Sequence, residues 1–249
     1  MALFEAKNLS KRFGDRVVLE DISLAFEQGQ LAGIMGPNGA GKSTCFNVLT
    51  GHFPPDRGQV LLDGEDITGL SPRKIAQKGV ARSFQIMSLF DDLTVLENVL
   101  FAVPEMRRSG MNPFKSVASD GTSIDKALKI VEQVGLAQHA DNRSLDLSYG
   151  QRRALEIAVA LAAEPRVLFL DEPTQGMGAE GRDRLLELIL TLKRRFTIVM
   201  IEHDMDFLFT LADRVSVIHW GQVIAEGSPD ELRSDPWVRR AKLGARANA

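Results

Sequence analysis

Short apolar runs alternate with longer amphipathic stretches in the second half of this chain. Residues 167–170, Thr197–Ile201 and 215–219 are short runs typical of buried strands, and residues 182–194 have a helical period. Strands that alternate with helices predict a mostly parallel sheet covered by helices. The second half is therefore expected to have an α/β fold.

The beginning of the chain has a different pattern. Residues 1–30 are typical of strands around a turn at Gly14-Asp15, and residues 59–62 with the turn Asp63-Gly64 predict a further hairpin. Hairpins pair neighbouring strands in an antiparallel manner. This part is therefore predicted to be rich in antiparallel strands.

A helical pattern occupies about residues 86–163, apart from residues 104–122, which contain prolines and glycines and few large apolar residues. The C-terminal tail, about residues 228–249, predicts one more helix, from Ser228-Pro229 through Leu243. One face of this helix is basic, and we interpret it as a solvent-exposed surface without a functional role. At 249 residues the chain is short for two full domains, so we expect a single domain.

Composition limits the classes of function. The chain has 30 Lys and Arg against 33 Asp and Glu, a net charge of −3, so we expect no nucleic acid partner. The single cysteine, Cys45, cannot form an internal disulfide, which favours a reducing compartment and a packing role. No signal peptide and no run of eighteen apolar residues is visible. We expect a soluble, cytoplasmic protein, which leaves attachment to a membrane partner open.

The main chemical feature is a glycine-rich stretch that fits the pattern G-x-x-x-x-G-K-[ST] of phosphate-binding loops. This phosphate loop consists of Gly36, Pro37, Asn38, Gly39, Ala40, Gly41, Lys42, Ser43 and Thr44. An apolar run, residues 31–35, precedes it, and a helical pattern from Lys42 ends at Thr50 before Gly51. The glycines let backbone N–H groups turn towards phosphates, Lys42 reaches the β- and γ-phosphates, and the Ser43 hydroxyl suits Mg²⁺. The alternative is a glycine-rich turn without a ligand, but this context favours a nucleoside triphosphate.

Two carboxylates follow the apolar run at residues 167–170. Asp171 ends a predicted buried strand and can hold Mg²⁺ directly or through water, whereas Glu172 suits a general base that polarises the attacking water. A strand end can also carry Asp-Glu by chance. The phosphate loop upstream favours the catalytic interpretation.

A third segment, which we call the signature segment, is Leu147-Ser148-Tyr149-Gly150-Gln151. It precedes a predicted helix, with Ser148 at the N-cap and Gln151 at position N3, so a capping box accounts for its local chemistry. A helix N-terminus with a hydroxyl and a glycine is also suited to binding a γ-phosphate. The segment alone does not separate these two interpretations; the phosphate loop before it and the Asp-Glu strand after it favour the second.

In this order the segments resemble the ATP-binding subunit of an ABC transporter, and the resemblance covers nearly all of the chain. It implies the α/β fold of P-loop ABC-type ATPases: a RecA-like mixed sheet core, an N-terminal antiparallel β subdomain and an α-helical subdomain. It also implies ATP hydrolysis, with ATP and Mg²⁺ as cofactors.

The resemblance assigns roles to individual residues. Phe13 matches the aromatic residue that stacks on adenine, and Gln85 matches the glutamine that joins the catalytic site to the membrane partner. Asp171 and Glu172 match the metal carboxylate and the catalytic glutamate, and His203 matches the switch histidine that contacts the γ-phosphate. The expected catalytic residues are thus Lys42, Gln85, Glu172 and His203, and the expected metal ligands are Ser43, Gln85 and Asp171. The other three histidines, His52, His139 and His219, match no motif.

The mechanism that the resemblance implies is a head-to-tail pair of ATPase domains, identical or paralogous. Each ATP lies between the phosphate loop of one domain and Ser148, Gly150 and Gln151 of the other. Closure and opening of the pair drive transmembrane permease subunits, which bind a groove beside Gln85, around residues 82–100, at the cytoplasmic face of the membrane. A solute-binding protein is an indirect partner.

Two residues depart from the family pattern. Tyr149 stands where the family commonly has glycine, which bears on packing at the interface. Gly178 stands where many members have an aspartate that reaches across the dimer, so that contact is in doubt.

Several segments resemble the branched-chain amino acid importers among ABC ATPases: residues 81–85, 89–99, 104–122, 201–205 and 238–244. Urea or short-amide importers share these features, and lipopolysaccharide-export ATPases share some. Because the solute does not touch this subunit, these residues report ancestry.

Other classes fit less well. Soluble ABC-type ATPases usually have two cassettes or a long coiled coil in one chain, and this chain has neither. A nucleotide kinase would lack the signature segment and His203. A module that binds without hydrolysis would be suggested by an altered Glu172, yet that residue is present.

Overall fold

The computed structural model describes residues 2–83, 89–104, 121–236 and 238. The strands of these residues are β1 (Ala2–Phe13), β2 (Arg16–Glu27), β3 (Leu31–Met35), β4 (Arg57–Leu62), β5 (Glu65–Asp66), β6 (Val80–Arg82), β7 (Val167–Asp171), β8 (Thr197–Ile201), β9 (Arg214–His219) and β10 (Gln222–Gly227). The helices are α1 (Lys42–Leu49), α2 (Pro72–Gln77), α3 (Val95–Leu100), α4 (Gly121–Gln133), α5 (Tyr149–Ala162), α6 (Ala179–Lys193), α7 (Met205–Leu211) and α8 (Pro229–Ser234).

The first sheet is antiparallel, with the strand order β2-β1-β4-β5. Its strands alternate between buried and exposed side chains; in β2, Ile22, Leu24 and Phe26 are buried between exposed neighbours. One face therefore packs on the core and the other faces solvent. The strands predicted within residues 1–30 and the hairpin predicted at residues 59–62 with the turn Asp63-Gly64 are confirmed.

The second sheet has the order β10-β9-β3-β8-β7-β6, and all of its pairs are parallel except β10 with β9. Strands β3, β7 and β8 are buried along their whole length because structure covers both faces of the sheet. The prediction of a mostly parallel sheet is confirmed.

The second sheet separates two hydrophobic cores, as alternate residues of β7 illustrate. Val167 and Phe169 point to the core that α1 and the first sheet share, whereas Leu168 and Leu170 point to the core formed with the helices. In the first core, the Phe169 ring meets Phe46 of α1 edge-on, with 5.1 Å between ring centroids. Helix α1 is thus packed between the two sheets.

Cys45 of α1 lies in the same core and is fully buried. Burial raises the pKa of its thiol to about 12, so the group stays neutral at physiological pH. The packing role expected from the sequence is confirmed.

The described part of the predicted helical region, residues 86–163, consists of α3, α4, α5 and two 3₁₀ turns, Ala137–His139 and Ser144–Asp146. Val99, Val131 and Leu155 are buried in one cluster and join the three helices. Within the described ranges, no helix is long and apolar enough to cross a membrane.

The tail differs from the predicted helix. Helix α8 ends at Ser234, and Asp235 has extended backbone (φ −65°, ψ 125°). A residue before a proline is disfavoured in the helical region, and Pro236 follows. The expectation of one continuous helix from Ser228 to Leu243 is therefore wrong.

Candidate functional site

Because β3, β7 and β8 are parallel, their carboxyl ends meet at one edge of the sheet. The phosphate loop follows β3, Glu172 follows β7, and His203 comes two residues after β8. Three separate segments of the chain thus deliver polar groups to the same place.

Glycine is required in the phosphate loop by backbone geometry. Gly36 has φ 154°, and a Cβ atom there would lie 2.0 Å from the carbonyl oxygen of Ile218. Gly41 has φ 104° and forms the N-cap of α1 without a side-chain hydrogen bond to the helix. The first N–H groups of α1 therefore have no side-chain cap and suit an anion.

Lys42 is only 6 % exposed and folds back over the loop. Its ammonium donates to the carbonyl oxygens of Gly36 (2.8 Å) and Pro37 (3.0 Å). Burial lowers the pKa of Lys42, and the Glu172 and Asp171 carboxylates offset part of this shift. A phosphate beside the ammonium would raise the pKa again and stabilise the charged form.

Asp171 ends β7 in a buried position, and its Oδ2 accepts a hydrogen bond from Arg82 Nη2 at 2.6 Å. Arg82 Nη1 also donates to Asn47 Oδ1 (2.7 Å) and Thr50 Oγ1 (3.1 Å). Arg82 therefore braces Asp171 against α1, the helix that begins at Lys42. Sequence reasoning did not identify this role for Arg82.

Glu172 follows Asp171 with the unusual backbone angle φ 44°, which costs energy for any residue other than glycine. Its N–H donates to the carbonyl oxygen of Ile201 (3.0 Å), which joins it to β8. The Glu172 Oε2 lies 3.8 Å from His203 Nδ1. The structure thus brings together Lys42, Asp171, Glu172 and His203.

The donor set fits Mg²⁺ only in combination with a nucleotide. In the part of the chain that the structure describes, no group of three or more His, Cys, Asp or Glu side chains could hold a metal ion. Magnesium in nucleotide sites takes one or two protein oxygens and completes its octahedron with phosphates and water. The buried Asp171 carboxylate and the exposed Ser43 hydroxyl are donors of that kind.

The signature segment forms the predicted capping box. Ser148 Oγ accepts from the Gln151 N–H (3.4 Å), and Gln151 Oε1 accepts from the Ser148 N–H (2.9 Å). Ser148, Gly150 and Gln151 line a cavity of about 520 Å³ with residues of α4 and α6, and no residue of the phosphate loop contributes to its lining. The signature segment is therefore not joined to the phosphate loop of its own chain.

His139, which matched no motif, contacts the signature segment. Because Gln151 Oε1 accepts from Ser148, its Nε2 is the donor to His139 Nε2, at 2.8 Å. His139 thereby fixes the side chain that completes the capping box. No sequence motif indicated this contact.

Helix α5, which begins in the signature segment, also donates hydrogen bonds to the end of β7 and the segment that follows it. Buried Arg153 donates through Nη2 to the carbonyl oxygens of Asp171 (2.9 Å) and Glu172 (3.0 Å). One turn earlier, the Tyr149 hydroxyl donates to the carbonyl oxygen of Gln175 (2.7 Å). Tyr149, one of the two departures from the family pattern, is therefore engaged with its own chain.

The remaining expected residues lie apart. Phe13 is 45 % exposed; its ring packs edge-on with the Phe53 ring, 5.3 Å between centroids, and the Lys11 ammonium lies 5.6 Å from its centroid. Gln85 lies outside the described residues. Gly178 is the N-cap of α6 and has no side-chain cap.

Two family models match the chain. Residues 19–175 match the model described as ABC transporter. Residues 222–247 match the model described as Branched-chain amino acid ATP-binding cassette transporter.

Curated relatives align over nearly their full length. The high-affinity branched-chain amino acid transport ATP-binding protein BraF of Pseudomonas aeruginosa is 39% identical over 251 residues, which cover 97% of this chain and 98% of BraF. The corresponding LivG protein of Escherichia coli K12 is 36% identical with the same coverage. The lipopolysaccharide export system ATP-binding protein LptB of Haemophilus influenzae is 35% identical and covers 98% of each chain.

Solved structures agree with these matches. The ADP conformation of an ATP-binding cassette of an ABC transporter superposes with a TM-score of 0.88 at 32% identity, covering 98% of this chain and 99% of that one. A nucleotide-free cassette superposes with a TM-score of 0.85 at 31% identity, covering 97% and 99%. Together, the fold, the residues gathered at the sheet edge and the full-length similarity establish that the chain belongs to the ABC transporter family.

Proposed function

We propose that this chain is the ATP-binding subunit of an importer of branched-chain amino acids, peripheral to the cytoplasmic face of the membrane. The observation that carries its ATPase chemistry is the gathering of Lys42, Asp171, Glu172 and His203 at one sheet edge. The solute class rests on the names of BraF and LivG and on the family model at residues 222–247.

The phosphate loop holds the triphosphate in this proposal. The N–H groups at the start of α1 and the Lys42 ammonium bind phosphate oxygens, and Phe13 stacks on the adenine. Asp171 and Ser43 would hold Mg²⁺, which, when bound, neutralises charge on the phosphates. Arg82 keeps the Asp171 carboxylate in place.

Hydrolysis follows from the position of Glu172. Its carboxylate accepts a proton from a water molecule, whose oxygen attacks the γ-phosphorus while the bond to the ADP oxygen breaks. His203, whose Nδ1 lies 3.8 Å from Glu172 Oε2, donates a hydrogen bond to the γ-phosphate in this proposal. The products are ADP and inorganic phosphate.

The second wall of the site comes from another ATPase domain. Ser148, Gly150 and Gln151 lie around a cavity of their own, so the anion that this helix N-terminus suits is the ATP bound by a partner. Closure of the pair on ATP and opening after hydrolysis provide the motion that the permease uses.

An exposed aromatic pair is the proposed docking point for the permease. Phe90 is 61 % exposed and Phe101 is 36 % exposed, with 6.1 Å between their ring centroids. Both lie at or next to the proposed groove at residues 82–100. Exposed aromatic rings of this kind are typical anchors of protein interfaces.

The solute can be tested by reconstituting the chain in vesicles with its permease and solute-binding subunits. We expect leucine, isoleucine or valine to stimulate ATP hydrolysis and to be taken up. Stimulation by urea or short amides alone, or lipopolysaccharide extraction, would contradict the proposed solute and leave the ATPase chemistry intact.

Ser148→Arg is expected to leave ATP binding by the single chain unchanged and to abolish ATP-driven dimerisation. The arginine places a long side chain where the partner's phosphates would lie, whereas the phosphate loop of its own chain is untouched. Binding of a fluorescent ATP analogue and molar mass by light scattering measure the two effects. Loss of ATP binding by the single chain would contradict the cross-subunit placement.

A further inference from the structure

Glu202, directly after β8, is a fully buried carboxylate (0 % exposed). Its Oε1 accepts hydrogen bonds from the N–H (2.9 Å) and the hydroxyl (2.6 Å) of Thr174. Its Oε2 accepts from the N–H groups of His203 (3.2 Å) and Asp204 (3.4 Å). These four donors are neutral, and together they compensate the burial of the negative charge.

Glu202 also lies where three catalytic segments meet. Its own N–H donates to the carbonyl oxygen of Ile34 in β3, the strand that leads into the phosphate loop. Its side chain holds Thr174, two residues after Glu172, and the backbone of His203. One residue is thus bonded to the segments that carry Lys42, Glu172 and His203.

Helix capping does not require this carboxylate. The helix that follows, α7, is capped by Asp204, whose Oδ1 accepts from the Phe207 N–H at 3.0 Å. The hydrogen bonds of Glu202 instead join the loop that contains Thr174 to the loop that begins with His203. A carboxylate can do this because each of its two oxygens accepts from two donors. Its geometry therefore serves the relative placement of the two loops.

We propose that Glu202 is a positioning residue for ATP hydrolysis, which sets His203 and Glu172 at their working separation. This inference rests on the proposed function, because it assumes that these two side chains act on the γ-phosphate. Glu202 itself does not contact the nucleotide.

Glu202→Gln is the sharpest variant because it keeps the shape of the side chain. A glutamine presents one oxygen and one NH₂ group. At the NH₂ end, the two protein groups that donated to the carboxylate oxygen now face another donor. The loops must then move apart. For a displacement of about 1 Å we expect kcat to fall about a hundredfold, whereas the Kd for ATP should change less than about twofold because the phosphate loop is intact.

A readout without nucleotide tests the same geometry. Hydrogen exchange followed by mass spectrometry should show faster exchange in the peptides that contain Thr174 and His203-Asp204 of Glu202→Gln, and unchanged exchange in β3 and β8. Glu132→Gln, an exposed Glu-to-Gln change on α4, is the matched control and should leave exchange and kcat as in the parent.

A double variant separates positioning from general destabilisation. Because Glu202 acts in part through His203, adding Glu202→Gln to His203→Ala should lower kcat by less than the hundredfold expected in the parent. Should Glu202→Gln not fold, Thr174→Val removes one donor and should lower kcat in the same direction with a smaller effect.

Parent-like kcat in Glu202→Gln, or fully additive losses in the double variant, would overturn the positioning role. A parent protein that binds ATP without hydrolysing it would instead contradict the proposed function. The exchange experiment distinguishes these failures because it needs no catalysis.

Discussion

Lys42→Ala is expected to abolish measurable ATP binding and hydrolysis. The Lys42 ammonium is buried beside the phosphate loop and, among its described hydrogen bonds, is bonded only to neutral carbonyls, so it can pair with the β- and γ-phosphates. Loss of such a buried charge contact should lower kcat/KM by about 10³-fold or more. Calorimetric titration with ATP and a phosphate-release assay measure the two effects.

The variant should nevertheless fold, because alanine is a good helix former at the first position of α1. Lys129→Ala is the matched control, since Lys129 is exposed on α4. ATP affinity in Lys42→Ala equal to that of this control would mean that the phosphate loop does not bind the triphosphate.

Glu172→Gln is expected to bind ATP with parent affinity and to hydrolyse it about 10²–10⁴-fold more slowly, the range typical of a lost general base. The amide keeps the shape of the side chain and tolerates the φ of 44° as glutamate does, so the fold should be preserved. Because hydrolysis opens the proposed dimer, the variant should accumulate as an ATP-bound dimer. Single-turnover release of phosphate and light scattering in MgATP measure both outcomes.

Glu132→Gln, on the exposed surface of α4, is the control for a neutralised glutamate. A Glu172→Gln protein that turns over as fast as this control would show that another group activates the water. His203, close to the same carboxylate, would then be the next residue to test.

Local patterns predicted the strands, the phosphate loop and the capping box because each depends on neighbouring residues. The short apolar runs identify β7 and β8, and the Ser148–Gln151 spacing identifies the start of α5. The interrupted tail could also have been predicted, since Pro236 disfavours helix at Asp235.

Contacts between distant segments could not be predicted in this way. Arg82 reaches Asp171 only because β6 lies beside β7 in the sheet, and the order of strands is not visible in a single sequence. The same holds for Arg153 of α5, which binds carbonyls after β7, and for Glu202, which binds Thr174. The φ of Glu172 likewise depends on the surrounding fold.

Two complementary defects test the shared site most directly. Lys42→Ala inactivates the phosphate loop and Ser148→Arg inactivates the signature segment. Each variant alone therefore lacks one half of every site that its dimer would form. A mixed dimer contains one complete site, with Lys42 from one chain and Ser148 from the other. With the parent chain active on its own as a control, our account predicts that the mixture hydrolyses ATP well above the sum of the separate variants. A rate equal to that sum would contradict a nucleotide held between two subunits.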